Sequence, residues 1–255
     1  MEDRRPDLLD DALGAAGKGN GGWLLNKKVV VVLDQIETNG SFVLHQIIKR
    51  ALLSSNGCAI FLAFSHPFTH YDRILRKLGC NLTAYTNSKR FIFFDLLNSN
   101  FSDKFGGGLS ALYGKVQNAV KLFRETFDEN VTIVIDDMSL LEVAANGSLD
   151  SVLNFLHYCY TLTVDIGCTL LILVHEDIYD TIERPPLLLQ LNYLADILIK
   201  VEPLATGLAT DVHGQLTIVK REATSSNGTI ETKVSNFQFK MRENNVEYFY
   251  PGGRT

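Results

Sequence analysis

The chain lacks the cysteine spacing that a zinc cluster or a disulfide framework needs. Cys58, Cys80, Cys159 and Cys168 form no CxxC pair and sit mostly in apolar runs, where free thiols behave as small hydrophobes. Buried reduced thiols in a reducing, intracellular compartment are expected. No apolar run approaches the roughly 20 residues that span a bilayer, and the start, Met1 to Pro6, carries acids rather than a secretory apolar core. Basic charge is not in excess either. With 24 Lys and Arg against 29 Asp and Glu, the net charge of −5 gives no global footprint for nucleic acid, so any RNA contact must be local or shared with other chains. The six histidines (His45, His66, His70, His157, His175 and His213) form no HExxH or HxH pattern, and no GxSxG elbow occurs, so neither a catalytic histidine nor a resident metal is expected.

What is present is the composition of a soluble α/β domain: 255 residues, 46% apolar and 21% charged. Residues 1–22 end in Gly17-Lys18-Gly19-Asn20-Gly21-Gly22, too polar and glycine-rich to offset chain entropy, and are expected to be a disordered tail. Residues 23–255 then form one domain. Val29 to Leu33 is a continuous β-branched run, the signature of a strand covered on both faces. Further strands are expected at Cys58 to Phe64, Phe91 to Leu96, Val131 to Ile135, Thr169 to Val174 and Asp196 to Val201. Between them lie helix-period stretches: Phe42 to Leu53, one stopped at Lys77-Leu78-Gly79, Leu109 to Phe127, and one capped by Ser148 and running through Val164. This alternation predicts a largely parallel sheet flanked by helices. After residue 212, Gln215 to Arg221, Ile230 to Met241 and Val246 to Tyr250 are separated by the turn signals Asn227-Gly228 and Asn244-Asn245, which predicts a C-terminal antiparallel meander.

A phosphate-binding loop after the first strand would read GxxxxGK[ST]. Its backbone amides cradle phosphate, its lysine neutralises charge and its hydroxyl holds magnesium. Here no glycine opens the loop, which starts at Asp34; Asn39 and Gly40 survive near its end, Ser41 stands for the lysine and Phe42 for the hydroxyl. Asp34 and Glu37 would repel a triphosphate further. The second element of such a site is present, because Thr132-Ile133-Val134-Ile135 ends in Asp136 and Asp137. Without the lysine and hydroxyl these acids have no phosphate-bound metal to hold. A solvated strand end that caps the following turn accounts for them as well. His175, after another strand, is expected beside Asp136 at the same edge.

Several collinear strings resemble the family of the sixth Elongator subunit. They are Asn39 to His45, Phe64-Ser65-His66 with His70-Tyr71, Lys77-Leu78-Gly79, Asp136 to Leu140, Asn154 to Cys159, Leu173 to Glu176, and Leu204 to Gly207 with Asp211 to Leu216, spanning roughly residues 28–250. The resemblance implies a RecA-like fold of P-loop-NTPase type with a degenerate phosphate loop. It also implies a place in a hetero-hexameric ring with the fourth and fifth Elongator subunits, alongside the remaining Elongator subunits, in the cytoplasm and also the nucleus. In that family the ring binds tRNA and serves carboxymethyl-type modification of wobble uridines, with the chemistry on another subunit; older descriptions tie the complex to transcription elongation. The family is also described as hydrolysing ATP in the ring while lacking the usual nucleotide motifs; with the degenerate loop and the absence of a long apolar run, this chain is expected to have no enzymatic activity, no cofactor, no membrane contact and no small-molecule substrate of its own.

A ring of this kind joins different faces head to tail. Phe64, His66, Tyr71, His157 and Tyr158 are candidate interface anchors, with helix-to-sheet core packing as the competing role. RNA-proximal candidates are Tyr179 and Arg184, in the loop after Val174, together with Lys220 and Arg221. That loop also carries Glu176, Asp177, Asp180 and Glu183, so it repels phosphate unless Tyr179 stacks on an unpaired base. Two rival functions are an active RecA or KaiC-like NTPase in recombination, whose lysine could come only from Lys28, and a small-molecule transferase, which needs a glycine-rich first turn.

Overall fold

The computed structural model describes residues 8–14, 25–54, 57–97, 108–127, 130–204, 207, 209, 211–223 and 230–252. A sheet of nine strands runs through the chain in the order β3-β2-β4-β5-β1-β6-β7-β8-β9. The first six are β1 (Val29–Asp34), β2 (Cys58–Ala63), β3 (Phe91–Asp95), β4 (Val131–Ile135), β5 (Thr169–His175) and β6 (Ile197–Glu202). They pair in parallel, as the unbroken apolar runs predict. The last three, β7 (Gly214–Ala223), β8 (Ile230–Met241) and β9 (Val246–Phe249), pair antiparallel as the meander. The turn signal Asn227-Gly228 lies outside the described residues.

Every residue of β1, β2 and β4 is buried, because helices cover both faces. Alternate residues serve opposite cores: Val29, Val31 and Leu33 face one, Val30 and Val32 the other. The first core is closed by α5 (Gly108–Phe127), α6 (Met138–Ala144), α7 (Leu149–Thr161) and α8 (Pro186–Leu194). The second is closed by α1 (Leu8–Leu13), α2 (Ser41–Leu53), α3 (Phe68–Lys77) and α4 (Leu82–Asn87). All four cysteines are free and buried, and burial pushes the Cys80 thiol up to about 11.

Two differences from the expected elements stand out. The helix after Ser148 is α-helical through Thr161, then widens into a π turn at Leu162–Ile166 that closes on Gly167 at φ 86°. Ser148 occupies the cap position, but its hydroxyl meets Ser151 Oγ at 2.8 Å instead of a backbone amide. Within the expected tail, Leu8–Leu13 is a helix with Leu9, Ala12 and Leu13 buried. Its apolar residues recur at helical spacing, and Asp10 pairs with Arg50 of α2. The glycines around it conceal this short amphipathic turn in the composition.

Leu9 is fully buried, so Leu9→Ala should lower the unfolding free energy by about 2–5 kcal/mol. Urea denaturation checks this; a loss within about 0.5 kcal/mol, the usual size of a surface change, would return residues 8–13 to the tail.

Candidate functional site

Parallel strands deliver the chain ends that leave β1, β2, β4 and β5 to one edge of the sheet, the edge where ligands of open α/β folds bind. The loop after β1 turns tightly there. Thr38 N–H donates to Gln35 O at 2.9 Å, Ile36 N–H to Asp177 Oδ2 at 2.9 Å, and Ser41 N–H to Asn39 Oδ1 at 2.7 Å. Gly40 N–H donates to the buried Asp34 carboxylate at 2.6 Å. Four amides of the kind that would face a phosphate are thus held by the chain's own oxygens. A Cβ on Gly40 would lie 3.1 Å from Asp34 Cβ and 3.2 Å from side-chain carbons of Val32 and Val201. The glycine is required for close approach, and its φ of −86° asks nothing special of the backbone. Phe42 is buried against Phe239 of β8, with ring centroids 4.7 Å apart, so its role is to pin α2 to the meander.

Asp34 also accepts from His175, its register partner on β5, with Nδ1 to Oδ1 at 2.5 Å. The other ring nitrogen, Nε2, lies 3.4 Å from Asp137 Oδ2. Hydrogen bonds to Asp137 and Asp34 outweigh burial and raise the imidazole to about 10, so His175 is a cation between two carboxylates at neutral pH. Asp137 caps α6 through Ser139 and Leu140 N–H. Burial pushes its carboxyl up, but the hydrogen bonds from His175, Ser139 and Leu140 win and hold it below the usual range.

Asp136 is held separately. It accepts from Phe64 N–H at 2.7 Å, Ser65 N–H at 3.1 Å and Tyr71 Oη at 2.5 Å, which locks the β2–α3 turn to β4. Burial pushes it up to about 6 against those hydrogen bonds, and the same burial, with the Asp136 charge, raises Tyr71. The solvated strand end expected from the sequence is therefore corrected. Asp136 and Asp137 are 3% and 4% exposed, because neighbouring turns and α6 close over the edge. His175, expected beside Asp136, binds Asp34 and Asp137 instead.

Of the interface candidates, Phe64 and Tyr71 are core residues at 3% exposure each, while His66, His157 and Tyr158 are exposed. Of the RNA-proximal candidates only Arg184 is exposed, with Lys220 and Arg221 half-buried. Tyr179 cannot stack on a base as expected: it is buried, and its hydroxyl donates to Glu142 Oε2 at 2.8 Å. Arg221 is spent on α8, donating to Asn192 O, Ala195 O and Asn192 Oδ1, the terminal oxygens of that helix. Lys220 pairs with Glu222 at 2.7 Å. Lys220 opposes Ile197 at the start of β6, so Lys220 and Arg221 sit at the opposite end of the sheet from Arg184. Lys28, the one lysine open to an active loop, precedes β1 and pairs with Asp196 at that far end too, 3.4 Å away. The Asp177 contact to the loop had no sequence signal, since an acid just after a strand is ordinary surface chemistry.

Because the raised group is basic, its stabilisation is complete below its unfolded value of 6.5 and is lost as pH rises toward about 10. Wild-type stability is expected to decline across that window. His175→Gln should flatten the decline and cost about 3 kcal/mol at neutral pH by stranding two carboxylates. Urea melts at the two ends of the window decide it; a flat wild-type profile would refute a protonated His175.

The family model for "Elongation complex protein 6" matches residues 20–243. The chain is 28% identical over 243 residues to Elongator complex protein 6 of Mus musculus, covering 88% of this chain and 90% of that protein. It is 30% identical over 236 residues to the Xenopus laevis protein of that name, covering 84% and 87%. Among solved structures it is similar to a KaiC-like protein from Pyrococcus horikoshii, with TM-score 0.57 and 11% identity, covering 88% and 90%. An uncharacterised protein of that organism, solved with an unknown peptide, gives TM-score 0.58 at 14% identity, covering 89% and 93%. These two likenesses carry the fold, which is RecA-like. The family model's match to residues 20–243, with relatives of that name aligned along most of the chain, shows that this chain belongs to the Elongation complex protein 6 family.

Proposed function

We propose that the chain is a non-catalytic subunit of the Elongator complex, working through its surfaces. It joins the fourth and fifth subunits in a hetero-hexameric RecA-like ring that binds tRNA and supports carboxymethyl-type modification of wobble uridines, in cytoplasm and nucleus. The observation that carries this is the Asp34 carboxylate on the Gly40 amide, backed by His175. A triphosphate would have to displace a buried, paired charge to reach the loop.

Two separate apolar surfaces support the ring. The first lies over the ends of β4, β5 and β1, where Ile36, Val143, Ile178 and Ile182 are 69%, 70%, 49% and 49% exposed. The Ile36 N–H to Asp177 and Tyr179 to Glu142 bonds tie its parts together. The second covers α7 and α8, where Tyr158, Leu189 and Tyr193 are exposed and His157 faces Gln190 at 3.4 Å. Head-to-tail closure needs two unlike faces of this kind. With Arg184 alone among acids, most phosphate affinity falls to the neighbours.

Co-expression with the fourth and fifth subunits should yield a six-membered assembly. Ile178→Asp and Tyr193→Asp should each abolish it while keeping the melting temperature of the isolated chain, since both are surface positions. Assembly of both variants at wild-type yield would remove these faces from the interface. Magnesium ATP should raise the melting temperature of this chain no further than adenosine does, because a grip on the triphosphate would stabilise the folded state in addition; a saturable extra rise would overturn the non-catalytic reading.

A further inference from the structure

Beside the stoppered loop, between the N-terminal ends of α2 and α3, lies a cavity of about 350 Å³. This is within the size range of small-ligand sites, about 300–1,000 Å³. Its walls are largely apolar, with Phe42, Leu44, Ile74, Leu173 and Met241 among them. Most polar groups on the lining are spent on one another: Asp136 on the β2–α3 turn and Tyr71, His175 on Asp34 and Asp137, Ser41 on Asn39.

His45 is the buried exception, whereas His66 and His70 lie at the more open mouth. His45 lines the cavity at 6% exposure, and its Nε2 is buried without a hydrogen-bond partner. A buried polar atom left unpaired keeps its full desolvation cost, which a ligand atom at that position would recover. Burial, with the nearby His70 and His66, lowers His45 to about 4, so the ring is neutral and Nε2 is either a donor or an acceptor according to the tautomer. At the mouth, His66 and His70 stack with centroids 4.0 Å apart and planes at 17°, edge-on to Tyr71. The lining therefore offers flat aromatic surface outside and a single hydrogen-bonding atom inside.

Charge narrows the class of ligand. Among the described residues, Asp34, Asp136 and Asp137 lie at these strand ends with His175 as the cation between them, so a phosphate or carboxylate beside them would enter against net negative charge, although Arg73 acts on His70 at the mouth. Among the described residues, no three His, Cys, Asp or Glu side chains converge as a metal ion requires. An uncharged planar ring is compatible with the walls, the mouth and the lone nitrogen together.

We propose that this cavity binds an uncharged, planar nitrogen heterocycle, of the class of a nucleoside base, whose edge hydrogen-bonds His45 Nε2 while its face lies against the His66–His70 mouth. The source is either a free nucleoside or an unstacked base of RNA. The site belongs to this chain alone and stands whether or not the ring forms.

The test is titration of the full chain with adenosine, guanosine, cytidine and uridine, following the imidazole carbon-bound proton signals by NMR. Inorganic phosphate, zinc chloride and a short single-stranded RNA are run beside them. At least one nucleoside should shift the His45, His66 and His70 signals saturably. His45→Phe, which keeps a flat ring but removes the nitrogen, should weaken that affinity about tenfold or more while the His175 signal stays in place. The joint variant His66→Ala with His70→Ala, at the solvent-facing mouth, should weaken it as well and serves if His45→Phe does not fold. RNA that competes with the nucleoside through His45 identifies the source as RNA, and nucleoside binding alone identifies it as free; both uphold the site. The proposal falls if no nucleoside binds, if the variants bind as tightly as wild type, or if only zinc or only phosphate moves these signals.

Discussion

The structure turns on one buried ion network, His175 held between Asp34 and Asp137. It spans the ends of three adjacent parallel strands, β4, β5 and β1, and each carboxylate has a second duty. Asp34 fastens the loop through Gly40, and Asp137 starts α6. A cation between two carboxylates is stable only because neither acid is open to water and both have further donors. The consequence reaches beyond stability: the edge at which open α/β sheets bind ligands is closed by the protein's own charges.

The substitutions in the loop become intelligible from this network outward. A lysine at Ser41 would have no phosphate to neutralise, and a hydroxyl at Phe42 would forfeit packing against Phe239. Gly40 survives because Asp34, Val32 and Val201 crowd it. The departure from a phosphate-loop sequence is therefore more than the deletion of useful groups, since the loop amides bond to Gln35, Asn39, Asp34 and Asp177. Beside this closed edge, the cavity lined by His45 remains open, with its own unpaired nitrogen.

The same inward pairing gives structural roles to residues whose types also suit a surface. Phe64 follows β2, Tyr71 lies on α3 and Tyr179 ends the turn after β5, and aromatic residues there suit an interface as well as a core. Contacts decided between them: Tyr71 and Tyr179 each donate to a carboxylate, and Phe64 sits in a core. Arg221 looked like a free basic residue until α8 ended beside it. Exposed apolar groups such as Ile36, Val143 and Tyr193 carry the surface character instead.

Local chemistry was enough to determine the strands and their direction. Continuous β-branched runs such as Val29 to Leu33 can be satisfied only inside a sheet covered on both faces. The Asn244-Asn245 signal and the alternation around it likewise marked the meander. The defect in the phosphate loop was legible too, because it depends on which side chains are missing at consecutive positions. Tertiary structure decided everything that joins distant positions: the pairing of Asp34 with His175, the Asp177 contact to Ile36, the burial of Asp136 and the docking of Leu9. A single sequence orders residues along the chain, whereas hydrogen bonding and burial depend on which strand ends become neighbours, and that is set only when the sheet assembles.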